Sequence, residues 1–194
     1  QSSDNTGVIP FTVDFSDMAN NAGTQVTAVA NDADGGVTFD KQAPSFTTVT
    51  MSSNNSTSTL AIVNDVITIN LTSDEAIKAG SDPTITVNGN TATVTRNSTT
   101  SFTATYTMSS PADDAIDGSS IPINISAYTD ATGNAGTTVT ATTDGSAVTY
   151  DKTLPTLGTV TIASDNTYDH LATSGDVITP VSYTHLRAHE TCTN

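Results

Sequence analysis

The chain has no tryptophan, one cysteine and three histidines among its 194 residues, and it sets five lysines and arginines against twenty aspartates and glutamates. Each shortage removes a class of function. The single cysteine, Cys192, excludes a disulfide framework and a cysteine-based zinc site. Five basic side chains under a formal net charge of −15 exclude nucleic-acid binding and attraction to anionic headgroups, because both draw on clustered Lys and Arg. No apolar run approaches the roughly 20 residues that a helix needs to cross a bilayer, so no membrane insertion is expected. No basic stretch followed by an apolar one opens the chain, so no signal peptide is expected within it, which leaves secretion of a longer parent open. Gly-rich phosphate cradles and EF-hand loops are also missing.

What the chain has is repetition. Phe39-Asp40-Lys41-Gln42-Ala43-Pro44 returns as Tyr150-Asp151-Lys152-Thr153-Leu154-Pro155, at a spacing of 111 positions. Val49-Thr50-Met51, Asn55, Leu60-Ala61 and Asp65-Val66-Ile67-Thr68 return at the same spacing as Val160-Thr161-Ile162, Asn166, Leu171-Ala172 and Asp176-Val177-Ile178-Thr179. Upstream, with small insertions, Ile9-Pro10-Phe11 answers Ile121-Pro122-Ile123, and Asn21-Ala22-Gly23 answers Asn134-Ala135-Gly136. A period this long marks a domain repeat; solenoid repeats run about 20–50 residues. Residues 1–38 are therefore expected to be the C-terminal part of one unit, 39–149 a complete unit, and 150–180 the N-terminal part of a third. The correspondence ends at Pro180: its counterpart Ile69 stands in a predicted central strand, where a Pro would remove a ladder donor and argues against a strand. From Val181 the composition changes: the last 14 residues hold two of the three His and the only Cys. Residues 181–191 resemble one reading frame of a sequencing-library transposon adapter. The run 181–194 is thus expected to be a non-native tail from metagenomic library construction and is set aside.

Alternation supplies the fold class. Ile67, Ile69 and Leu71 share one face of a predicted strand, as do Phe102, Ala104, Tyr106 and Met108, and Ile121, Ile123 and Ile125. Further strands are predicted at 46–51, 59–63, 83–87, 91–95, 137–142 and 147–150. Asn88-Gly89 marks a type I′ hairpin turn. Phe11, Val13 and Phe15 alternate in a strand ahead of the complete unit, with another predicted at 26–30 and an Asp- and Gly-rich loop at 31–36. Dense Thr and Val suit a pleated surface better than a helix. The expectation is all-β: Ig-like antiparallel sandwiches in tandem, about seven strands per unit. The Cys-Trp-Cys core of antibody domains is absent, so Ile, Val, Leu, Phe and Met must fill the interior.

Catalysis is not expected. With the tail set aside, His170 is the only histidine, and Thr59 stands at its counterpart in the complete unit. The adjacent carboxylates are Asp74-Glu75 and Asp113-Asp114. Neighbours on a strand face opposite ways, so neither pair converges on a glycosidic bond; the first reads as a strand end and the second as a solvated loop.

The loops Asp17-Met18-Ala19-Asn20-Asn21-Ala22-Gly23 and Asp130-Ala131-Thr132-Gly133-Asn134-Ala135-Gly136 are the most distinctive local feature. Asp and Asn bond their own backbone in turns and Gly takes positive φ, so a turn is the plain reading. The sharper one is calcium, which wants six to eight oxygens. One Asp and one Asn are too few, so further ligands must come from the junctions between units. That makes Asp17, Asn21, Asp40, Asp130, Asn134 and Asp151 the candidate calcium ligands, with Asp32, Asp34 and Asp144 just upstream of the junctions. Lys41 and Lys152 flank the junction aspartates and compete with a metal for them.

In the junction residues and in Asp130, Gly133, Asn134 and Gly136 the chain resembles the bacterial Ig-like (Big) repeats of large secreted or surface-anchored proteins. The resemblance covers 1–180 and is strongest at 39–149. It implies an extracellular or cell-surface location and an array of units whose partners are neighbouring repeats of the same chain. It further implies a role as a spacer or stalk that supports adhesion. The alternatives are a repeat that itself binds a host or matrix glycan or protein, or an accessory repeat of a secreted polysaccharide-active enzyme. A binding module needs exposed aromatics, and only Tyr128 and Tyr168 fall outside the alternating core pattern.

Overall fold

The computed structural model describes residues 6–28 and 36–184, with side chains as far as 181. Val29, Ala30, most of the Asp- and Gly-rich loop with Asp32 and Asp34, and residues 185–194 lie outside the described residues. In chain order the strands are β1 (Gly7–Val8), β2 (Thr38–Phe39), β3 (Phe46–Ser53), β4 (Leu60–Ala61), β5 (Val66–Ser73), β6 (Thr84–Val87) and β7 (Asn90–Thr91). They continue with β8 (Thr93–Arg96), β9 (Ser101–Thr107), β10 (Ser119–Ser120), β11 (Ile123–Ser126), β12 (Thr149–Tyr150), β13 (Leu157–Ser164) and β14 (Ile178–Thr184). One 3-10 turn, Asp114–Ile116, is the only helical piece among the described residues, and no helix there is long and apolar enough to cross a membrane. The chain divides into two compact units, one ending at Asp151 and one beginning at Lys152.

In the first unit one sheet runs β3-β5-β9-β8 and a second runs β11-β6-β7, extended by a bridge from Ile125 to Val139. This order corresponds to the ABED and CFG sheets of an immunoglobulin-type sandwich. Every neighbouring pair in the two sheets is antiparallel. The short β12 lies between β10, antiparallel to it, and β4, parallel to it. Alternation decides which residues turn inward: Ile67, Ile69 and Leu71 are buried while Asn70 and Thr72 between and beyond them are exposed. Facing them from the second sheet are Ile85, Val87, Ile123 and Ile125, and the two sets form one apolar cluster. At Asn88-Gly89 both residues have positive φ, 49° and 77°, and the flanking Val87 and Asn90 pair, which is the type I′ geometry.

The predicted strand at 137–142 is reduced to the single bridge of Val139 to Ile125, and the described part of 26–30, residues 26–28, bridges Val26 to Val13. Asp113 corrects the expectation of a solvated loop, because it is fully buried. Its carboxylate accepts from Asn88 Nδ2, Tyr106 Oη and the Ser109 backbone N–H at 2.8–3.0 Å. Those three donors satisfy the buried carboxyl oxygens.

In the second unit β13 and β14 form an antiparallel hairpin, with Ile162 opposite Pro180. Pro180 thus lies inside a strand, contrary to the sequence-based expectation. Among the described strands β14 has a neighbour on one side only, so the missing N–H can face the open edge. The strand continues through Val181–Thr184, the start of the run set aside as a tail.

Hydrogen bonds recur at the spacing of the sequence repeat. Asn55 Nδ2 donates to Asp65 Oδ2 at 2.7 Å, and Asn166 Nδ2 to Asp176 Oδ2 at 2.7 Å. The same two carboxylates accept from the backbone of Ile62 and of Thr173, at 2.8 and 2.7 Å. Upstream, Gly7 pairs with Phe39 as Ser119 pairs with Tyr150, and Val13 bridges Val26 as Ile125 bridges Val139. The sequence correspondence shifts by one residue between Ile125 and Thr129, where Ala127 takes φ 57°. The pairs Ile125–Val139 and Thr129–Ala135 keep one antiparallel register, whereas Val13–Val26 and Ser16–Ala22 differ by one.

Candidate metal centre

The loop after β11 is built around one carboxylate. Asp130 Oδ1 accepts from the backbone N–H groups of Thr132, Gly133 and Asn134 at 2.9, 2.6 and 2.8 Å, and from Thr132 Oγ1 at 2.9 Å. Its Oδ2 accepts from Asn134 Nδ2 at 2.7 Å. Gly133, at φ 101°, supplies the reversal that points these N–H groups inward. Asp130 is buried at 1% exposure. Burial opposes its ionisation, but the bonds from Asn134, Thr132 and Gly133 outweigh that cost and hold its pKa at about 2, below the ordinary 3.8.

The loop is locked to the sandwich at both ends. Thr129 O accepts from Lys78 N at 2.9 Å, and Ile77 bridges Asp130. The Tyr128 ring lies over Gly136 so closely that a Cβ there would stand 2.0 Å from it. Its hydroxyl donates to Thr137 O at 2.8 Å, and Phe46 packs on it with ring centroids 4.7 Å apart.

Two further carboxylates converge on this loop. Oxygens of Asp40, Glu75 and Asp130 lie within 4.8 Å of one another, the one such group among the described residues. Asp40 follows β2, and Asn134 Nδ2 also donates to its backbone carbonyl at 3.3 Å. Glu75 follows β5. Its Oε1 is out of reach of solvent and has no hydrogen-bond partner among the described residues. Burial raises the Glu75 pKa above 4.5, and the charges of Asp40, Asp130 and Asp74 push it further up. A buried oxygen without a donor, beside two other carboxylates, fits a hard divalent cation. Asp40, Glu75 and Asp130 would hold it.

Of the six predicted ligands, the structure brings together Asp40 and Asp130. Asn134 is adjacent, but it turns its amide nitrogen toward Asp130 and Asp40, so it buttresses the loop and offers no ligand from that atom. Asp17 and Asn21 repeat the turn, with Asn21 N and Nδ2 each 2.8 Å from the Asp17 carboxylate, on an exposed loop. No other carboxylates join Asp17 in such a group among the described residues. Asp151 is likewise outside the group; its N–H donates to Ala61 O at 2.9 Å. Glu75 was missed by sequence reasoning. Its signal lay in strand pairing: once Phe46 is set opposite Ser73, residues just before β3 and just after β5 share one end of the sheet.

Tyr128, one of two aromatics left over as a binding surface, is buried in the core, whereas Tyr168 is exposed. Comparisons with protein-family models, with curated proteins and with solved structures return no match for this chain.

Proposed function

We propose that this chain is a non-catalytic spacer segment of a bacterial extracellular or cell-surface repetitive protein, made of Ig-like units in tandem and supporting adhesion. The observation that carries this is the return of whole hydrogen-bonded motifs at one spacing, as in Asn55–Asp65 and Asn166–Asp176, both 2.7 Å. Selection for a single binding site would preserve one loop. Selection for a rod preserves the scaffold of each unit, turns included. The acidity keeps such a rod soluble and apart from its neighbours. The full chain should show no saturable binding on glycan and matrix-protein arrays beyond an acidic β-sandwich control. Saturable binding that a single surface substitution removes would replace the spacer by a binding module.

A second reading, calcium at the unit's head, is favoured by the buried, unpartnered Oε1 of Glu75. A calcium ion would supply positive charge where Asp40, Glu75 and Asp130 meet, tying the segment after β2 to the end of β5 and the Asp130 loop. Asp130 is positioned for this by its own turn, which keeps it ionised. The test is thermal unfolding of the full chain in excess EDTA and in millimolar calcium. Saturation at about a hundredfold over Kd adds roughly 2.7 kcal/mol, a rise of several degrees. An unchanged midpoint would leave the cluster metal-free and the spacer reading intact.

A further inference from the structure

Asn88-Gly89 is the only Asn-Gly pair in the sequence, and such a pair carries a reaction of its own. The backbone nitrogen that follows an asparagine can attack the side-chain amide carbon, and a glycine there has no Cβ to shield it. The fold leaves this nucleophile open. Gly89 is exposed at the tip of the β6–β7 hairpin, and nothing stands within 4 Å of the point where its Cβ would be. Its N–H has no acceptor among the described residues.

The electrophile, by contrast, is held. Asn88 is half-buried, and its backbone N–H donates to Pro122 O at 2.8 Å. Its side-chain Nδ2 donates to Oδ1 of the fully buried Asp113 at 2.9 Å. Tyr106 Oη and the Ser109 N–H fix the other oxygen of Asp113 at 3.0 and 2.8 Å, so the acceptor does not follow Asn88 if its side chain turns. Expulsion of Nδ2 must break its bond to Asp113. An acceptor on Nδ2 also feeds electron density toward the amide carbon and makes it a poorer electrophile.

We propose that Asn88 is a site of spontaneous deamidation and that Asp113 guards it in the folded unit. Gly89 N gives up its proton to solvent and bonds to Asn88 Cγ. The Cγ–Nδ2 bond then breaks, and Nδ2 takes up a proton and leaves as ammonia. Water opens the resulting five-membered imide at either carbonyl, giving aspartate or isoaspartate at position 88. Nothing is oxidised or reduced, and water is the one co-reactant. Once ionised, the new carboxylate is an acceptor only and returns no donor to Asp113 Oδ1. Isoaspartate in addition lengthens the backbone of a turn whose two residues fit the pairing of Val87 with Asn90. Either product weakens the complete unit and accumulates with the age of the chain. The inference rests on neither the spacer reading nor the cation.

The test is peptide mapping by mass spectrometry of the full chain kept in mildly alkaline buffer made with heavy-oxygen water. The Asn88 peptide should exchange its amide for a labelled acid, slowly in the folded chain and quickly in concentrated guanidinium chloride. Gly89→Ala should slow the reaction in guanidinium, whatever it does to the fold. Asp113→Ala should convert about fivefold or more faster than Gly136→Ala, which is destabilised at a different contact. Both are held equally far below their own denaturation midpoints. Asp113→Asn, which keeps an oxygen for Nδ2, should convert more slowly than Asp113→Ala. Asn88→Asp should lower the urea midpoint. A wild-type chain that stays unconverted in guanidinium, or that converts equally fast folded and unfolded, overturns the proposal. So does an Asp113→Ala rate no higher than that of Gly136→Ala or of Asp113→Asn. An unchanged midpoint for Asn88→Asp overturns the coupling to stability.

Discussion

Asn134 donates its side-chain amide to Asp130 Oδ2 at 2.7 Å, and this bond closes a turn in which the other carboxylate oxygen gathers three backbone N–H groups. The pair accounts for a loop that looks functional in sequence and is first of all self-supporting. It also places an ionised carboxylate beside Asp40 and Glu75, where a cation could use it.

Acid should act on this turn in a defined window. Asp130 has its pKa lowered from 3.8 to about 2, so between those values the unfolded chain binds more protons than the folded one. Its contribution is complete above pH 3.8 and is lost as pH falls toward 2. Thermal midpoints measured down an acid series should drop steeply through that window. Asp130→Asn, already lacking the charge, should be less stable at neutral pH and flatter in the same window. A wild-type curve that is flat there would show that the turn does not depend on the ionised carboxylate.

Glu75 should behave in the opposite sense. Its pKa is raised from 4.5 by burial and by three neighbouring carboxylates, so the folded chain binds more protons above 4.5. Its ionisation therefore lowers stability as pH rises through that raised value. In EDTA at neutral pH, Glu75→Gln should melt higher than the parent. In millimolar calcium the order should reverse, because the variant loses a ligand. Chemical denaturation in the two media measures both effects. A variant that remains the more stable one in calcium would remove Glu75 from the metal reading.

The contact of Tyr128 with Gly136 should tolerate no methyl group. A Cβ at Gly136 would stand 2.0 Å from the ring, and the ring is wedged against Phe46. Gly136→Ala should cost about 1–3 kcal/mol through overpacking. Combined with Tyr128→Ala, the same substitution should cost much less than its single value, since the obstacle is gone. Additive losses in urea unfolding would locate the effect in the backbone of the loop instead.

Removing the buried carboxylate of Asp113 should be among the most damaging single changes. Asp113→Ala leaves the Tyr106 hydroxyl, the Asn88 amide and the Ser109 N–H, all on half-buried residues, without their fully buried acceptor. A loss of roughly 2–4 kcal/mol follows from stranded donors of this kind. The urea midpoint should fall with the slope unchanged. A fall equivalent to less than about 0.5 kcal/mol, the size of an ordinary surface change, would mean the donors find other partners.

Local pattern was enough for much of this molecule. Alternation at Ile67, Ile69 and Leu71 selects strand over helix and says which side is buried, because successive side chains on a strand face opposite ways. Asn88-Gly89 dictates its turn because few other pairs accept positive φ twice. The Asp130 turn was readable for the same reason: its bonds span four residues at most. The repeat, too, is a property of the text.

What the chain could not announce locally was the set of meetings across strands. Glu75 joins Asp40 and Asp130 only through the pairing of β3 with β5 and the bridge of Ile77 to Asp130, contacts between residues far apart in sequence. Asp113 and Tyr128 look like surface residues until Asn88 and Tyr106 close on the one and Phe46 on the other. Composition and alternation report how one strand divides its two faces. The register between strands, set by the sum of many cross-strand contacts, decides which side chain each face meets.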